Sequence, residues 1–281
     1  REVIAAHGLA ARKSLGQHFL LDLNLTRRIA RAAGALDAGS VIEIGPGPGG
    51  LTRGLLLEGA RDVVAIERDE RCQGALAELA AAFPGRLKII GADALQVDTC
   101  ALARTLTPPV KLVANLPYNI ATALLLGWLK DVSAFASLTV MVQKEVAERL
   151  AAKPRTKAYG RLAVICQWLC AVRLLFDVAP RAFVPPPKVT STVVQLTPRP
   201  QPLGPARFAA LETVTASAFG QRRKMLRSSL KTLGVDVARL VAMAGVDAQV
   251  RAEELAVEQF CALARAYDAL AAAPTGPRAD P

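Results

Sequence analysis

The sequence predicts an α/β fold: a parallel sheet with helices on both faces, followed by a small all-helical domain. Two observations predict it. From Val41 to Val142 short apolar strands alternate with helical periodicity, the rhythm of βαβ units. From Phe208 to Tyr267 only helical segments follow, punctuated at Gly220, Gly234 and Gly245. Between the two lies TPRPQPLGP (197–205), a proline-dense stretch that reads as a linker. The division expected is therefore a domain over 1–198, with a basic arm and a ligand-facing motif in 1–22, a linker at 199–206, a helical domain over 207–272, and a loose tail at 273–281.

The elements follow in order. A helix is expected from about Leu23 to Ala33, where Leu25, Ile29 and Ala33 recur at helical spacing. Val41-Ile42-Glu43-Ile44 is the first strand of the sheet and runs into a glycine-rich turn; Leu51 to Leu57 resumes helical periodicity. Val63 to Ile66, Leu87 to Ile90, Val110 to Ala114 and Leu138 to Val142 are further strands, with a helix through Leu79 after the second. A helix from about Tyr159 to Ala171 precedes two β-rich runs, Val172–Val178 and Thr192–Thr197, joined by AFVPPPKV and expected to pair with the sheet without a helix between them.

Composition narrows the function classes. The chain has 281 residues and a formal net charge of +11, an excess that favours a polyanionic partner, nucleic acid before an anionic membrane surface. Residues 1–199 hold +9 of it and residues 200–281 hold +2. The five cysteines are odd in number and scattered without a C-x-x-C pair, and only His7 and His18 supply imidazoles. Neither a disulfide framework, nor a metal cluster, nor a Ser-His-Asp triad is expected. Leu162–Phe176, the longest apolar stretch, is interrupted by Gln167 and Arg173 and is too short to span a bilayer; no signal peptide is read at the start. A cytoplasmic setting is expected, with a native start upstream of Arg1.

The chemistry is carried by the ends of the strands. EIGPGPGG (43–50) is a strand-to-helix turn that lets backbone approach a ligand closely, through Gly45 and Gly47. A purely structural tight turn is the alternative. No Lys-Ser/Thr follows the glycines, so a phosphate-cradling loop is not expected, and Glu43 suits a cationic ligand better than a pyrophosphate. Glu67, ending the next strand, stands where a carboxylate accepts ribose hydroxyls. Asp93, in Gly91-Ala92-Asp93-Ala94, could take the amine of an adenine. Three acids at three strand ends point to a nucleoside ligand that carries positive charge, which S-adenosylmethionine satisfies better than NAD.

The fourth strand ends in NLPYNIAT (115–122). An exocyclic amine has its lone pair delocalised into the ring and is a poor nucleophile. The side-chain carbonyl of Asn115 and the backbone carbonyl of Leu116, fixed by Pro117, could accept both its hydrogens and expose that lone pair to a methyl donor. Tyr118 offers a face for an extruded base. A helix start with Tyr118 packed in the core is the structural alternative for the tetrapeptide alone.

GQHFL (16–20), EIGPGPGGLT (43–52), NLPYNIAT (115–122), QKEVAERL (143–150), YGRLAV (159–164), FVPPPKVTSTVV (183–194) and FGQRRKMLRSSL (219–230) occur in order. Together they resemble the bacterial small-subunit (16S) ribosomal RNA adenine dimethyltransferases of the KsgA/RsmA type, over roughly residues 10–270. The resemblance implies a Rossmann-like class I methyltransferase sheet and S-adenosylmethionine as cofactor, held by His18, Leu20, Glu43, Gly45, Gly47, Glu67, Asp93, Ala94 and Asn115. It implies dimethylation at N6 of two adjacent adenosines in a hairpin loop near the 3′ end of 16S ribosomal RNA in the immature small subunit. Phe183 resembles the aromatic that holds the target base opposite Tyr118. The third place of the first motif, often Asn in the family, is His18 here.

For RNA, the clusters singled out are Arg222, Arg223, Lys224, Arg227 and Lys231, then Lys153, Arg155 and Lys157, with Arg12, Lys13, Arg161 and Lys188 beside them. A monomer is expected, with no metal and no membrane. Competing readings are the related large-subunit ribosomal RNA methyltransferase that confers macrolide resistance, a ribosome-assembly or RNA-binding factor whose methylation is dispensable, and, more distantly, an NAD oxidoreductase.

Overall fold

A computed structural model describes residues 7–9, 11 and 16–272. Arg12 and Lys13 of the arm and the tail at 273–281 lie outside them. By internal contacts the chain divides into a unit of residues 1–147 and 171–198 and a second of residues 148–170 and 199–281.

The first unit is a seven-stranded sheet. Its strands are β2 (Val41–Ile44), β3 (Val63–Glu67), β4 (Leu87–Gly91), β5 (Lys111–Asn115), β6 (Ser137–Gln143), β7 (Cys170–Val178) and β9 (Ser191–Pro198), in the order β4-β3-β2-β5-β6-β9-β7. The pairs β4–β3, β3–β2, β2–β5 and β5–β6 are parallel, whereas β9 runs antiparallel to β6. Strands β2 and β3 are buried along their whole length and β5 across its centre, and apart from Glu43, Glu67, Lys111 and Asn115 their residues are apolar, as suits a parallel sheet covered on both faces. The late runs join the sheet side by side, as the missing helix between them predicts. Strand order reverses between β2 and β5, which opens a crevice at the carboxyl ends of the strands.

A two-residue strand, β1 (Phe19–Leu20), pairs antiparallel with β8 (Phe183–Val184) in a separate ribbon. It is followed by α1 (Leu23–Ala32), capped by Asp22, whose carboxylate accepts from Asn24 N at 2.8 Å and Leu25 N at 3.3 Å. Helix α2 (Gly50–Leu57) crosses α1 closely. A Cβ on Gly54 would lie 2.8 Å from the Thr26 carbonyl carbon, and one on Gly50 would lie 2.2 Å from the Leu20 carbonyl oxygen. Gly50 thus lets the end of the GQHFL segment lie against the start of α2, at the crevice, and Gly54 lets α1 lie against the middle of α2. The remaining helices of this part are α3 (Gln73–Ala82), α4 (Thr99–Arg104), α5 (Ala121–Leu129) and α6 (Lys144–Leu150), the last running into the second unit.

The second unit is helical: α7 (Arg161–Leu169), α8 (Phe208–Gly220), α9 (Leu226–Ser229), α10 (Val237–Ala244) and α11 (Val257–Ala272). The division differs from the expected boundary at residue 198, because 148–170 lies with these helices. Its buried side chains explain why: Tyr159, Ala163, Val164 and Trp168 share one core with Leu211, Val214, Phe260 and Leu263. Tyr159 is fully buried, donates its hydroxyl to Leu255 O at 2.9 Å and meets Phe219 edge-on. The charge balance moves with the boundary. The second unit carries +7 and the first +4, so positive charge is denser on the helical part than a cut at residue 199 suggests.

Candidate active site

The carboxyl ends of β2, β3, β4 and β5 line one cleft, closed on another side by the GQHFL segment. It gathers His18, Leu20, Glu43, Gly45, Gly47, Glu67, Asp93, Ala94, Asn115, Leu116, Pro117 and Tyr118 from five separate stretches of chain.

Glu43 is 1% exposed, and one of its carboxylate oxygens has no hydrogen-bond partner. Burial, reinforced by the charge of Glu67 and partly offset by Thr52, pushes its carboxyl up to about 8. Glu67 ties two loops together: one oxygen accepts from Gly47 N at 2.8 Å and the other from Asp69 N at 2.7 Å. Burial raises its pKa against those two donors. Each oxygen keeps a second lone pair for a ligand. Asp93 accepts from Leu95 N at 3.0 Å and pairs with Arg68 at 2.8 Å. Gly45 and Gly47 have φ of +66° and +55°, a region where other residues are strained. A Cβ at Gly45 would project into open space, so the glycine leaves that volume to a ligand.

Asn115 ends β5, and its Nδ2 donates to the His18 carbonyl at 3.1 Å. A carbonyl only accepts, so this bond fixes the amide the other way round at its far end and leaves Oδ1 as an acceptor. Leu116 N donates to Met141 O at 3.1 Å, and Pro117 O accepts from Ile120 N and Ala121 N, so the turn leads directly into α5. Tyr118 is hydrogen-bonded to Ser191 Oγ at 2.7 Å; burial raises its phenol pKa.

His18 donates Nδ1–H to Pro185 O at 2.8 Å, since the carbonyl can only accept. Its ring stacks on Tyr118 with centroids 5.5 Å apart and meets Phe183 edge-on at 6.4 Å. The structure places Phe183 apart from the residues that line the cleft. That ring is 2% exposed, sits opposite Leu20 in the β1–β8 ribbon, packs with Leu20 and Ile29, and is not among the residues lining the cleft. The ring directly against Tyr118 is the imidazole of His18.

Two residues of the site were missed by sequence reasoning. Gln17 Nε2 donates to Asp69 Oδ2 at 2.8 Å, and Asp69 also binds Arg71, which holds its carboxyl down at about 2. They lock the GQHFL segment to the loop after β3. The second acid in Ile66-Glu67-Arg68-Asp69 was the available signal.

Of the eight cations singled out for RNA, Arg223, Lys224, Arg227, Lys231, Lys153, Arg155 and Lys157 are exposed. Arg222 is only partly exposed and pairs with Glu253 through Nε at 2.9 Å; Arg161 likewise pairs with Glu212 at 2.6 Å. Lys188 is exposed. Among the described residues no group of three or more His, Cys, Asp and Glu is placed to hold a metal ion, and no helix is long and apolar enough to cross a membrane.

Comparison with known proteins decides the family. The profile of the family described as ribosomal RNA adenine dimethylase matches residues 8–269. The chain belongs to this family. Among its relatives is a protein of Rhodospirillum rubrum named ribosomal RNA small subunit methyltransferase A, 66% identical over 269 residues, covering 96% of this chain and 92% of the relative. A protein of the same name from Paramagnetospirillum magneticum is 65% identical, covering 96% and 94%. A dimethyladenosine transferase from Plasmodium falciparum shares the family's fold at 23% identity, with a TM-score of 0.75 and 90% and 98% of the two chains covered. The 23S rRNA methyltransferase ErmE is 29% identical, with a TM-score of 0.64 and 89% and 99% covered. The chain is thus a methyltransferase of the family on a class I fold, and the family's methyl donor is S-adenosylmethionine.

Proposed function

We propose that this chain methylates N6 of two adjacent adenosines in a hairpin loop near the 3′ end of 16S ribosomal RNA, on the immature small subunit, acting as a cytoplasmic monomer. The observation that carries the chemistry is the bond from Asn115 Nδ2 to His18 O, which presents Oδ1 as an acceptor at the cleft where three strand-end acids converge. The names of the relatives at 65% and 66% identity carry the choice of the small subunit. The cleft fits S-adenosylmethionine: Glu43 is buried with an unpartnered oxygen, and the Gly45 position leaves open volume beside it.

Glu67 would hold the ribose hydroxyls and Asp93 with Ala94 the adenine; Glu43, Gly45, Gly47, His18 and Leu20 would surround the remainder. When bound, the cofactor supplies an electrophilic methyl on a positively charged sulfur. The protein's part is to prepare the amine. Asn115 Oδ1 and the Leu116 carbonyl accept its two hydrogens, drawing the nitrogen toward tetrahedral geometry, while Pro117 keeps both acceptors in place. Tyr118 stacks on the base on the face that His18 leaves, and Phe183 supports the imidazole from behind. Carrying the pocket's charge on acceptors rather than on a strong base is sufficient, because the amine proton becomes acidic only as the new bond forms. The second unit's exposed cations meet RNA phosphates.

Incubation with tritiated S-adenosylmethionine and immature small or large subunits tests this reading. Label should enter the small subunit and be recovered as N6,N6-dimethyladenosine. Label confined to the large subunit would establish instead the 23S rRNA specificity for which ErmE is named.

A further inference from the structure

Arg222 stands first in the basic run Arg222-Arg223-Lys224, yet its surroundings are unlike those of its neighbours. Its Nε donates to Glu253 Oε2 at 2.9 Å and its Nη2 to the carbonyl oxygen of Thr156 at 3.3 Å. The backbone of Glu253 completes a triangle, because its carbonyl accepts from Arg155 N at 2.7 Å. Two of those bonds end on the loop 153–157, which carries Lys153, Arg155 and Lys157, all exposed. Within the loop, Thr156 Oγ1 donates to Lys153 O at 2.7 Å. Arg155 has φ of +67°, the left-handed region, and is the one non-glycine residue there among those described. A residue is kept in such a conformation only when its surroundings over-determine it. Here the surroundings are Glu253 and Arg222.

We infer that Arg222 and Glu253 are positioning residues: together they hold the 153–157 loop so that Lys153, Arg155 and Lys157 stand ready with Arg223 and Lys224 as one preformed phosphate-binding face. This deepens the functional reading and rests on it. Arg222 itself does not meet phosphate; its guanidinium is already committed to a carboxylate and a carbonyl. A loop ordered before binding loses less conformational entropy when RNA arrives, so the strut acts on affinity without contacting the ligand.

The acid gives the inference a sign. Replacing Glu253 by Gln adds one net positive charge to a polyanion-binding face. Electrostatics alone would therefore tighten RNA binding, whereas loss of the strut weakens it. The experiment measures binding of labelled small-subunit ribosomal RNA to the full chain across potassium chloride concentrations, for the wild type, E253Q, R222A, R222K and R223A. Expected are a roughly two- to fivefold weakening in E253Q and R222A, the range of an ion pair of this exposure. R222K should resemble R222A, because an ammonium cannot reproduce the fork that spans Glu253 and Thr156. The slope of log affinity against log salt should stay at the wild-type value in R222A and fall by about one in R223A. Trypsin should cut after Arg155 and Lys157 faster in E253Q than in the wild type, at unchanged melting temperature and unchanged KM for S-adenosylmethionine.

E253Q binding as tightly as the wild type or tighter would overturn the strut, and so would an R222A slope reduced by about one or wild-type affinity in R222K. Absence of salt-sensitive binding by the wild-type chain would overturn the functional reading and the strut with it.

Discussion

Glu43 offers a test whose magnitude can be worked from its surroundings. Its carboxyl is 1% exposed and stands at about 8 rather than the ordinary 4.5, chiefly through burial. A group whose folded pKa is raised stabilises the fold fully below its unfolded pKa and loses that contribution as pH climbs through the folded one. The window here runs from about 4.5 to about 8. At ~1.4 kcal/mol per pK unit, the wild type should forfeit about 3 kcal/mol between pH 5 and pH 8 through this one group. Glu43→Gln keeps the shape and cannot ionise, so it escapes that loss. Urea unfolding of both proteins at pH 5, 6, 7 and 8 reads the difference, and the variant's advantage should widen by about 3 kcal/mol across the series. A gap that stays flat within about 1 kcal/mol, or a variant less stable than the wild type at pH 8, refutes the account of a buried and uncompensated carboxylate.

The same group should report on the ligand. A cation entering the cleft lowers the pKa of Glu43, so affinity for S-adenosylmethionine should rise with pH between roughly 6 and 9 in the wild type and stay level in Glu43→Gln. S-Adenosylhomocysteine, which lacks the positive sulfur, should show no such rise in either protein. Calorimetric titration in buffers of different ionisation enthalpy measures the protons released directly.

Asn115→Ala should lower turnover by about 10²- to 10³-fold, the scale for removing one preorganised polar contact to the reacting group. Its stability cost should stay near 1 kcal/mol, since a single hydrogen bond to His18 O is lost; near-normal turnover in the subunit assay would sink the mechanism. Gly54→Ala should destabilise by about 1–3 kcal/mol, because the new methyl meets the Thr26 backbone at 2.8 Å and backbone cannot give way as a flexible side chain does. A melting temperature within error of the wild type would contradict that packing. All five cysteines are buried and burial pushes each thiol up, Cys72 to about 12 and Cys100 to about 11. A thiol-specific disulfide reagent should therefore label none in the native protein and five after unfolding; rapid native labelling would overturn the assignment of these residues to packing.

The acids of the cleft were legible because each interrupts or ends an apolar run that local pattern marks as a strand, and a parallel strand has one end at which ligands are met. Glu43, Glu67, Asp93 and Asn115 needed nothing beyond that order to be brought together. Where the structure places residues otherwise than their local sequence suggests, the cause is different: the deciding partner is distant in sequence. The ribbon of β1 and β8 is two residues wide on each side, too short for any periodicity, and it turns Phe183 from a ring beside a proline turn into a core residue opposite Leu20. Helix α7 is mostly apolar, a pattern that suits either core; the buried neighbours of Tyr159 and Trp168 decide which core it joins. Arg222 is chemically indistinguishable in the sequence from Arg223, its neighbour. What separates them is Glu253, and a carboxylate 31 residues away can be seen to reach one guanidinium and not the next only in three dimensions. A basic run in the sequence thus hides which of its members is tied to a carboxylate of its own fold.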